Sequence, residues 1–360
     1  MRIAQVSPLA ECVPPRTYGG TERIVSYLTE ALIGLGHDVT LFAAGGSRTS
    51  ASLRVCSESA LRDSPSCYEP IASHLLMMRR VLKEAASFDI IHFHTDLVQF
   101  PIFAHRPAAC LTTLHGRLDR PELRRFFDAF DEMPLVAISA AQRASLPEAS
   151  WIGTVHHGLP EAMLRPGGGD GGYLAFLGRV SPEKGLARAI RIARRAGMPL
   201  RVAAKIDRAD TEFFNTVIRP ELGPDIAFLG EIDDSAKEEF LGRAAALLFP
   251  IEWPEPFGLV MIEAMACGTP VIAFPNGAAP EVIEDGITGF LVAGENEAAA
   301  ALRRLADFDR ARIRQRFEER FSARRMAMDY VGLYERLLAG AVAIPDDRLG
   351  GEAADEMQRA

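Results

Sequence analysis

Ile3-Ala-Gln-Val6 and Val39-Thr-Leu-Phe42 are two short, mostly apolar runs, and a helical pattern lies between them. In that pattern apolar residues occupy positions 24, 25, 28, 31, 32 and 35, and Gly36 follows. Spacings of three and four residues are typical of an amphipathic helix, and glycine commonly stands just after a helix end. Runs that are apolar throughout are typical of strands buried on both faces. This stretch therefore predicts a strand–helix–strand unit with parallel strands.

The same alternation continues on both sides of a glycine-rich segment, Arg165-Pro-Gly-Gly-Gly-Asp-Gly-Gly172. Before it, we expect strands at residues 89–94, 110–115 and 135–139 and helices at residues 71–86 and 122–130. After it, we expect strands at residues 173–177, 200–204, 226–229, 245–250, 270–274 and 289–292, and then a helical pattern over residues 297–338. No strand leads directly into the glycines, so we interpret them as a flexible connector and not as a phosphate-binding loop.

This alternation predicts an α/β protein with two Rossmann-like domains that face each other across a cleft. A chain of 360 residues is longer than one core usually supports, which also favours two domains. The expected parts are an N-terminal domain at residues 1–160, a linker at 161–172, a second domain at 173–320, a helix at 321–340 and a polar, disordered tail at 341–360.

Charge and composition argue against several classes of protein. The formal net charge is −8, whereas a nucleic-acid-binding protein normally carries a basic surplus. No apolar run reaches about 18 residues, the length of a membrane-spanning helix, and the first residues become a strand too early for a signal peptide. The five cysteines are scattered without CxxC spacing, which fits neither a zinc site nor a disulfide framework. We expect a cytoplasmic protein.

Two glutamates separated by seven residues, on either side of a helix start, are the strongest functional signal. Glu255-Pro-Phe-Gly258 approaches the helix, and Glu263 lies inside it. The backbone N–H groups of the first helical turn have no partner within the helix, and they favour a phosphate group. Glycine lets a ligand come close to the backbone. The expected donors are the N–H groups of Phe257, Gly258, Leu259 and Val260.

Two loops carry further residues that suit a diphosphate. Arg179 follows Gly178 at the end of a predicted strand, and Lys184 follows shortly after. An arginine fork and a lysine point charge together can neutralise a diphosphate without metal, although such a pair is also common on protein surfaces. In the first domain, Gly19 and Gly20 stand between the first strand and helix, where a plain turn is the competing interpretation.

The order and spacing of these segments resemble the family 4 retaining glycosyltransferases of the GT-B fold. The resemblance rests on Glu255 and Glu263, on Gly19-Gly20-Thr-Glu22, on Gly178-Arg179 with Lys184-Gly185, and on Pro280-Glu-Val-Ile-Glu-Asp-Gly286-Ile-Thr-Gly289. It covers roughly residues 1–340. It implies transfer of a sugar from a nucleotide-diphosphate sugar, with a UDP-sugar favoured over a GDP-sugar, to an acceptor bound by the first domain. It also implies that the C-terminal helix packs back toward that domain.

The resemblance assigns roles to individual residues. Glu263 would hold the ribose hydroxyls and Glu255 the sugar hydroxyls, because a carboxylate accepts two hydrogen bonds at once. The diphosphate would contact Arg179, Lys184, the helix start at Gly258 and Leu259, and the Gly19-Gly20 loop. His115, at the end of a predicted strand, matches a histidine near the anomeric centre, although lone histidines are usually structural. The base would lie near Gly230, Glu231 and Ile232, and Ser139 would border the nucleotide.

No cofactor and no metal are expected. His92, His94, His156 and His157 have no acidic or cysteine ligands at supporting spacing, so a structural role at strand ends is favoured. Asp307-Phe-Asp309 resembles the metal-binding signature of other transferases, but it lies between helical stretches, where a solvated turn is expected. His157-Gly158 departs from the family's usual Asn-Gly, which leaves the hinge and acceptor contacts open.

The acceptor stays open, and sugars, lipids and small metabolites all remain candidates. Residues 118–130 mix arginine with phenylalanine and could contact a membrane surface, but an amphipathic helix that covers the sheet is favoured. The alternatives to a transferase are a nucleotide-sugar epimerase or glycan phosphorylase on the same architecture, and a non-catalytic scaffold. The sequence does not indicate an oligomeric state.

Overall fold

The computed structural model describes residues 1–16, 19–64, 67–104 and 109–340. The expected tail at residues 341–360 lies outside the described residues. Within these ranges, no helix is both long enough and apolar enough to cross a membrane.

The first sheet contains seven parallel strands within the described part of residues 1–160. They are β1 Arg2–Val6, β2 Asp38–Ala44, β3 Ser52–Ser57, β4 Ile90–Phe93, β5 Cys110–Thr113, β6 Leu135–Ala137 and β7 Trp151–Thr154. Their spatial order is β3-β2-β1-β4-β5-β6-β7. The helices between them are α1 Gly20–Gly34, α2 Pro70–Glu84, α3 Phe100–Phe103, α4 Pro121–Ala129 and α5 Ala140–Ala144. The edge strands β3 and β7 were not expected from the sequence.

The second sheet contains six parallel strands, counted over the described residues beyond 160. They are β8 Leu174–Arg179, β9 Leu200–Lys205, β10 Ile226–Gly230, β11 Ala246–Phe249, β12 Val271–Ala273 and β13 Gly289–Leu291. Their spatial order is β10-β9-β8-β11-β12-β13, the same arrangement as the first six strands of the other sheet. The α/β architecture of two parallel sheets is therefore confirmed.

Helices lie between the strands of the second sheet, and others follow its last strand, in the described chain beyond residue 160. They are α6 Leu186–Ala196, α7 Thr211–Phe213, α8 Asp234–Gly242, α9 Leu259–Ala266, α10 Ala279–Val282, α11 Glu295–Ala301, α12 Arg310–Phe321 and α13 Ala323–Leu338. The expected helical pattern over residues 297–338 is divided into separate helices. Asp309 and Ser322 divide it, because their side chains accept hydrogen bonds from backbone N–H groups of the first turns of α12 and α13.

Helix α13 packs on the first domain. Its buried residues Met326, Tyr330 and Leu333 belong to the same cluster as Ile3 of β1 and Leu28 of α1. The chain passes between the domains beside the junction of α12 and α13. The Leu159 N–H donates to the Phe321 carbonyl at 2.9 Å, and the Ala323 N–H donates to the Leu159 carbonyl at 2.8 Å. The C-terminal helix therefore completes the core of the N-terminal domain.

The glycine-rich segment is held against the second domain, so its description as a flexible connector is corrected. The N–H groups of Gly167, Gly169 and Gly171 donate to carbonyl groups of Cys267, Gly242 and Arg243 at 2.8–3.0 Å. A Cβ at Gly167 would lie 2.4 Å or less from backbone atoms of Gly242. The glycines allow two backbones to approach closely, which local composition cannot distinguish from flexibility.

Helix α4 turns its apolar side toward the protein. Phe126, Phe127 and Phe130 each have ring centroids within 5.7 Å of Phe100 of α3. The phenylalanines of residues 118–130 are thus engaged with the core of the first domain.

Candidate active site

A cleft of about 570 Å³ lies between the carboxyl ends of the two sheets. Each sheet has a crevice where consecutive connections leave in opposite directions, between β1 and β4 and between β8 and β11. The cleft contacts the loops that follow these strands. It brings together the sequence-predicted residues Gly19, Gly20, His115, Arg179, Lys184, Glu231, Ile232, Glu255, Phe257, Gly258, Leu259, Val260 and Glu263.

Two sequence-predicted residues lie elsewhere. Gly230 is the last residue of β10 and is not part of the cleft wall, whereas the next two residues are. Ser139 is fully buried at the start of α5, where its hydroxyl donates to the Pro256 carbonyl at 2.6 Å. Because that hydroxyl is already engaged across the two domains, its expected place beside the nucleotide is corrected to an interdomain contact.

The start of α9 requires glycine at position 258. Gly258 precedes the helix with φ 83°, in the left-handed region. A Cβ there would lie 2.8 Å from Cε of Met261 and 3.0 Å from Cζ of Phe249. Any larger residue would therefore be strained at this φ and would crowd the side chains of Met261 and Phe249.

The Gly19-Gly20 loop of the first domain comes up against this helix start. Gly19 has φ 152°, and a Cβ there would lie 2.8 Å from Cβ of Pro15. A Cβ at Gly20 would be 3.8 Å from Cδ1 of Leu259, the first residue of α9. The loop of the first domain and the side chain of the first residue of α9 thus come into contact at one point of the cleft.

The two predicted carboxylates each form an ion pair inside the cleft. Lys184 Nζ lies 2.5 Å from Glu255 Oε2, and Lys237 Nζ lies 2.7 Å from Glu263 Oε1. The Glu263 side chain is 3% exposed and that of Lys237 13%, so this second pair is nearly desolvated. Burial opposes the charge on Lys237, but Glu263 raises its pKa above the ordinary value.

Arg179 is also engaged by acidic groups. Its guanidinium contacts Glu183 at 3.1 Å and Asp207 at 3.3 Å, at the carboxyl ends of β8 and β9. About a third of its side chain stays exposed to the cleft. The cationic groups of the cleft are therefore arranged by neighbouring carboxylates before any anion binds.

His115 lines the cleft on the first-domain side. Its Nε2 lies 2.9 Å from Nδ1 of His94, and its ring stacks on His157 with centroids 5.2 Å apart. Burial lowers the pKa of His115 to about 3, so the ring is neutral. Its Nδ1 is buried and has no hydrogen-bond partner among the described residues.

Trp253 is a cleft residue that sequence reasoning missed. Lys184 Nζ and the guanidinium carbon of Arg117 each lie 5.0 Å from its ring centre. Arg117 follows His115 in the first domain and pairs with Asp119 at 2.7 Å. Trp253 stands two residues before Glu255 in the same loop. Its closeness to the Glu255 motif is the sequence feature that could have identified it as a cleft residue.

Arg23 and Asp96 were missed as well. Arg23, on α1, pairs with Asp234 on α8 and so joins the two domains at the cleft. Asp96 follows β4 with φ 54°, an uncommon conformation for a residue other than glycine. Asp96 is exposed and lines the cleft, and desolvation by the protein around the cleft raises the pKa of its carboxyl to about 6.

No group of three or more His, Cys, Asp or Glu side chains in residues 1–16, 19–64, 67–104 and 109–340 is arranged to hold a metal ion. His92 and His94 are buried in hydrogen-bonded positions, and His156 contacts Glu281 at 3.1 Å. Asp307 pairs with Arg304, and Asp309 caps α12.

Two protein-family models match this chain. "Glycosyltransferase Family 4" matches residues 18–165, and "Glycosyl transferases group 1" matches residues 168–321. A phosphatidyl-myo-inositol mannosyltransferase from Propionibacterium freudenreichii is 28% identical over 345 residues, which cover 84% of each chain. A D-inositol 3-phosphate glycosyltransferase from Mycolicibacterium smegmatis is 32% identical over 179 residues, which cover 44% of this chain and 41% of that protein.

Solved structures share the fold at lower identity. AviGT4, a glycosyltransferase involved in avilamycin A biosynthesis, aligns with a TM-score of 0.72 at 24% identity over 94% of this chain and 98% of that one. Sucrose-phosphate synthase from Thermosynechococcus elongatus aligns with 0.78 at 21%, over 94% and 100%. Anabaena HepE in complex with UDP-glucose aligns with 0.67 at 18%, over 93% and 99%.

Proposed function

This chain belongs to the family 4 glycosyltransferases of the GT-B fold, and we propose that it moves a hexose from a nucleotide-diphosphate sugar to an acceptor hydroxyl with retention of anomeric configuration. The observation that carries this proposal is the convergence of Glu255, Glu263, Arg179, Lys184 and the start of α9 in one cleft between the two sheets. In this proposal residues 173–320 bind the donor and residues 1–160 bind the acceptor.

The donor would lie along the second domain. Glu263 is proposed to hold the ribose hydroxyls, since its carboxylate is fixed by Lys237 and retains further acceptor capacity. Glu231 and Ile232 would lie beside the base. The diphosphate would then reach Arg179, Lys184 and the meeting point of Gly20 and Leu259.

The chemistry would consist mainly of charge stabilisation. Breaking the bond between the anomeric carbon and the diphosphate puts negative charge on phosphate and positive charge on the sugar ring. Cations and N–H groups held in place before the reaction lower the barrier, because they need not reorganise as the charge develops. When the diphosphate binds Lys184, Glu255 would lose its contact with that lysine and would accept hydrogen bonds from the sugar hydroxyls.

We propose UDP as the preferred nucleotide carrier and expect neither a metal nor another cofactor. The similar Anabaena HepE was solved in complex with UDP-glucose, which supports UDP as the first nucleotide to test. Arg179 and Lys184 can supply the charge neutralisation that a divalent ion gives in other transferases.

The acceptor would enter from the first domain, past His115, Asp96 and Arg117. The names of two relatives specify inositol-containing acceptors, one bearing phosphate and one a lipid. This supports including inositol, inositol phosphate and phosphatidylinositol in an acceptor panel. If the acceptor is a lipid, the full chain should also cosediment with vesicles that contain it.

A thermal-shift titration with UDP, GDP and ADP in chelator tests the donor site first. A ligand at about 100 times its Kd stabilises the folded chain by about 2.7 kcal/mol. We expect a shift with UDP that Glu263→Ala abolishes, followed by sugar transfer from a UDP-sugar when products are analysed. A chain that binds no nucleotide would contradict the proposal and favour a scaffold or a phosphorylase, and conversion of the donor without transfer would favour an epimerase.

A further inference from the structure

A row of seven polar side chains runs from helix α13 to the cleft. Consecutive members lie within hydrogen-bond distance, with donor–acceptor separations of 2.9, 2.7, 2.8, 3.2, 2.8 and 2.9 Å. In order, the members are Tyr330, Thr113, His92, Tyr334, Gln5, His94 and His115. All but the last are buried, and the last lines the cleft. The row therefore connects the C-terminal helix to the proposed sugar site through the centre of the first sheet.

The amide of Gln5 gives the row a direction. Its Nε2 donates to the Tyr334 hydroxyl, and its Oε1 lies 2.8 Å from Nε2 of His94. An amide oxygen only accepts, so His94 carries its proton on Nε2 and its Nδ1 is an acceptor. That Nδ1 faces Nε2 of His115, which must therefore donate.

The row ends on a nitrogen that is an acceptor without a partner. Burial holds the pKa of His94 well below the usual range and that of His115 at about 3, so each ring keeps a single proton. With that proton on Nε2, the Nδ1 of His115 has a lone pair, and this atom is buried without a partner among the described residues. His115 lines the cleft, and its unsatisfied buried acceptor is costly unless a ligand hydroxyl supplies the hydrogen bond.

We propose that Tyr334 and Gln5 are positioning residues that act through His94 to fix His115 with its proton on Nε2, so that Nδ1 accepts a hydrogen bond from a hydroxyl of the donor sugar. This inference rests on the proposed function for the identity of the sugar. It assigns the C-terminal helix a part in the chemistry of the first domain, although none of its residues lines the cleft.

The choice of tautomer matters because of the charge that develops on the sugar. A hydroxyl that donates to Nδ1 leaves electron density on its oxygen, which favours a ring that becomes positive in the transition state. An N–H at the same place would donate to that oxygen and withdraw density. Turning the Gln5 amide over would reverse every donor along the row and produce this second arrangement.

The experiment uses the full chain labelled with ¹⁵N-histidine. The two ring nitrogens of a neutral histidine differ in chemical shift according to which one carries the proton, so the spectrum shows the tautomer of His115. Tyr334→Phe removes the hydroxyl that accepts from Gln5, and Gln5→Met breaks the row one step closer to the cleft. Tyr173→Phe is the matched control, because it deletes an equally buried hydroxyl that bonds the Phe240 carbonyl in the second domain.

We expect the wild-type chain and Tyr173→Phe to show the proton on Nε2, and both row variants to show a mixture of tautomers. Turnover should fall about tenfold in the row variants, as loss of about one hydrogen bond to the transition state implies. The Kd for UDP should stay within about twofold, because the row does not touch the nucleotide region. Circular dichroism at the assay temperature identifies any variant that has unfolded, and the other variant then serves.

A proton on Nδ1 in the wild-type chain would overturn the inference. So would an unchanged tautomer, or unchanged turnover, in a folded row variant. A wild-type chain that binds no nucleotide would contradict the proposed function and remove the sugar as the partner of Nδ1. The tautomer is still measured in that case, so the two failures are distinguishable.

Discussion

The Nζ of Lys184 lies 2.5 Å from Oε2 of Glu255, so a cation and a carboxylate of the proposed donor site neutralise each other within the cleft. The two side chains are 21% and 12% exposed, which makes the pair stronger than one on the surface. A diphosphate that binds Lys184 must compete with Glu255. This contact therefore links release of the carboxylate to arrival of the donor.

Glu255→Gln should separate binding from transfer. Without the carboxylate, Lys184 is available to phosphate, so UDP should bind as tightly as in the wild-type chain or more tightly. Transfer should fall about 100-fold, because the charged contact proposed for the sugar is lost. Calorimetry with UDP and single-turnover assays measure the two effects. Glu252→Gln is the control, because Glu252 stands in the same loop but is half exposed and pairs with Arg188. If Glu255→Gln weakened UDP binding and the control did not, Glu255 would not compete with the diphosphate for Lys184.

Glu263→Gln should weaken both nucleotide binding and stability. The variant loses the proposed ribose acceptor and leaves Lys237 without its nearly buried partner. Breaking such a buried pair typically costs about 3–5 kcal/mol of unfolding free energy. We expect about 3 kcal/mol here, because Asp234 also contacts Lys237. The double variant Glu263→Gln/Lys237→Met should recover stability in chemical denaturation but not UDP affinity. Recovery of both would show that Glu263 acts only through the fold.

Transfer should persist in excess chelator. The proposed diphosphate contacts are Arg179, Lys184 and backbone N–H groups, whose charges do not depend on a bound ion. The assay compares initial rates in chelator, in Mg²⁺ and in Mn²⁺ at equal ionic strength. Activity that is lost in chelator and restored by either ion would contradict this prediction.

The contact between Glu281 and helix α5 should make domain stability depend on pH. Its carboxylate accepts from the N–H groups of Ala140 and Ala141, each at 2.7 Å, and from His156. Burial raises the pKa of Glu281, but these hydrogen bonds outweigh it and lower the pKa below the ordinary value. A carboxylate with a lowered pKa stabilises the folded state above its unfolded pKa, and this contribution is lost as the pH falls through the folded pKa.

Glu281→Gln should therefore cost about 2 kcal/mol of unfolding free energy at pH 7 and progressively less below about pH 4. Denaturant unfolding at several pH values measures the difference from the wild-type chain. Glu239→Gln, whose carboxylate is 77% exposed beside Arg243, is the control and should show little difference at any pH. A cost for Glu281→Gln that does not change with pH would contradict the assignment.

The apolar periodicity of the sequence was enough to predict the alternating strands and helices and the two α/β halves. Strands such as β1 and β2 are buried on both faces, so each is visible as a local apolar run. The edge strands β3 and β7 were missed because most of their residues are only half-buried and carry no such run. Most of the site residues predicted from the sequence line the cleft, since strand ends of parallel sheets meet at one edge and the motifs stand in the loops that follow them.

Which side chains pair inside the cleft was decided only by the tertiary structure. The lysine that contacts Glu263 comes from α8, where nothing in the local sequence marks it. The hydrogen bond from Gln5 to Tyr334 joins residues 329 positions apart. Sequence periodicity depends on residues that are near one another in the chain, and it indicates local secondary structure and burial. The contacts of Glu263 and Gln5 depend instead on the relative positions of the two sheets and α13. The sequence alone determined the α/β architecture and the loops that meet at the cleft, and the packing of distant elements determined the charge pairing in the cleft and the hydrogen bonding of His115.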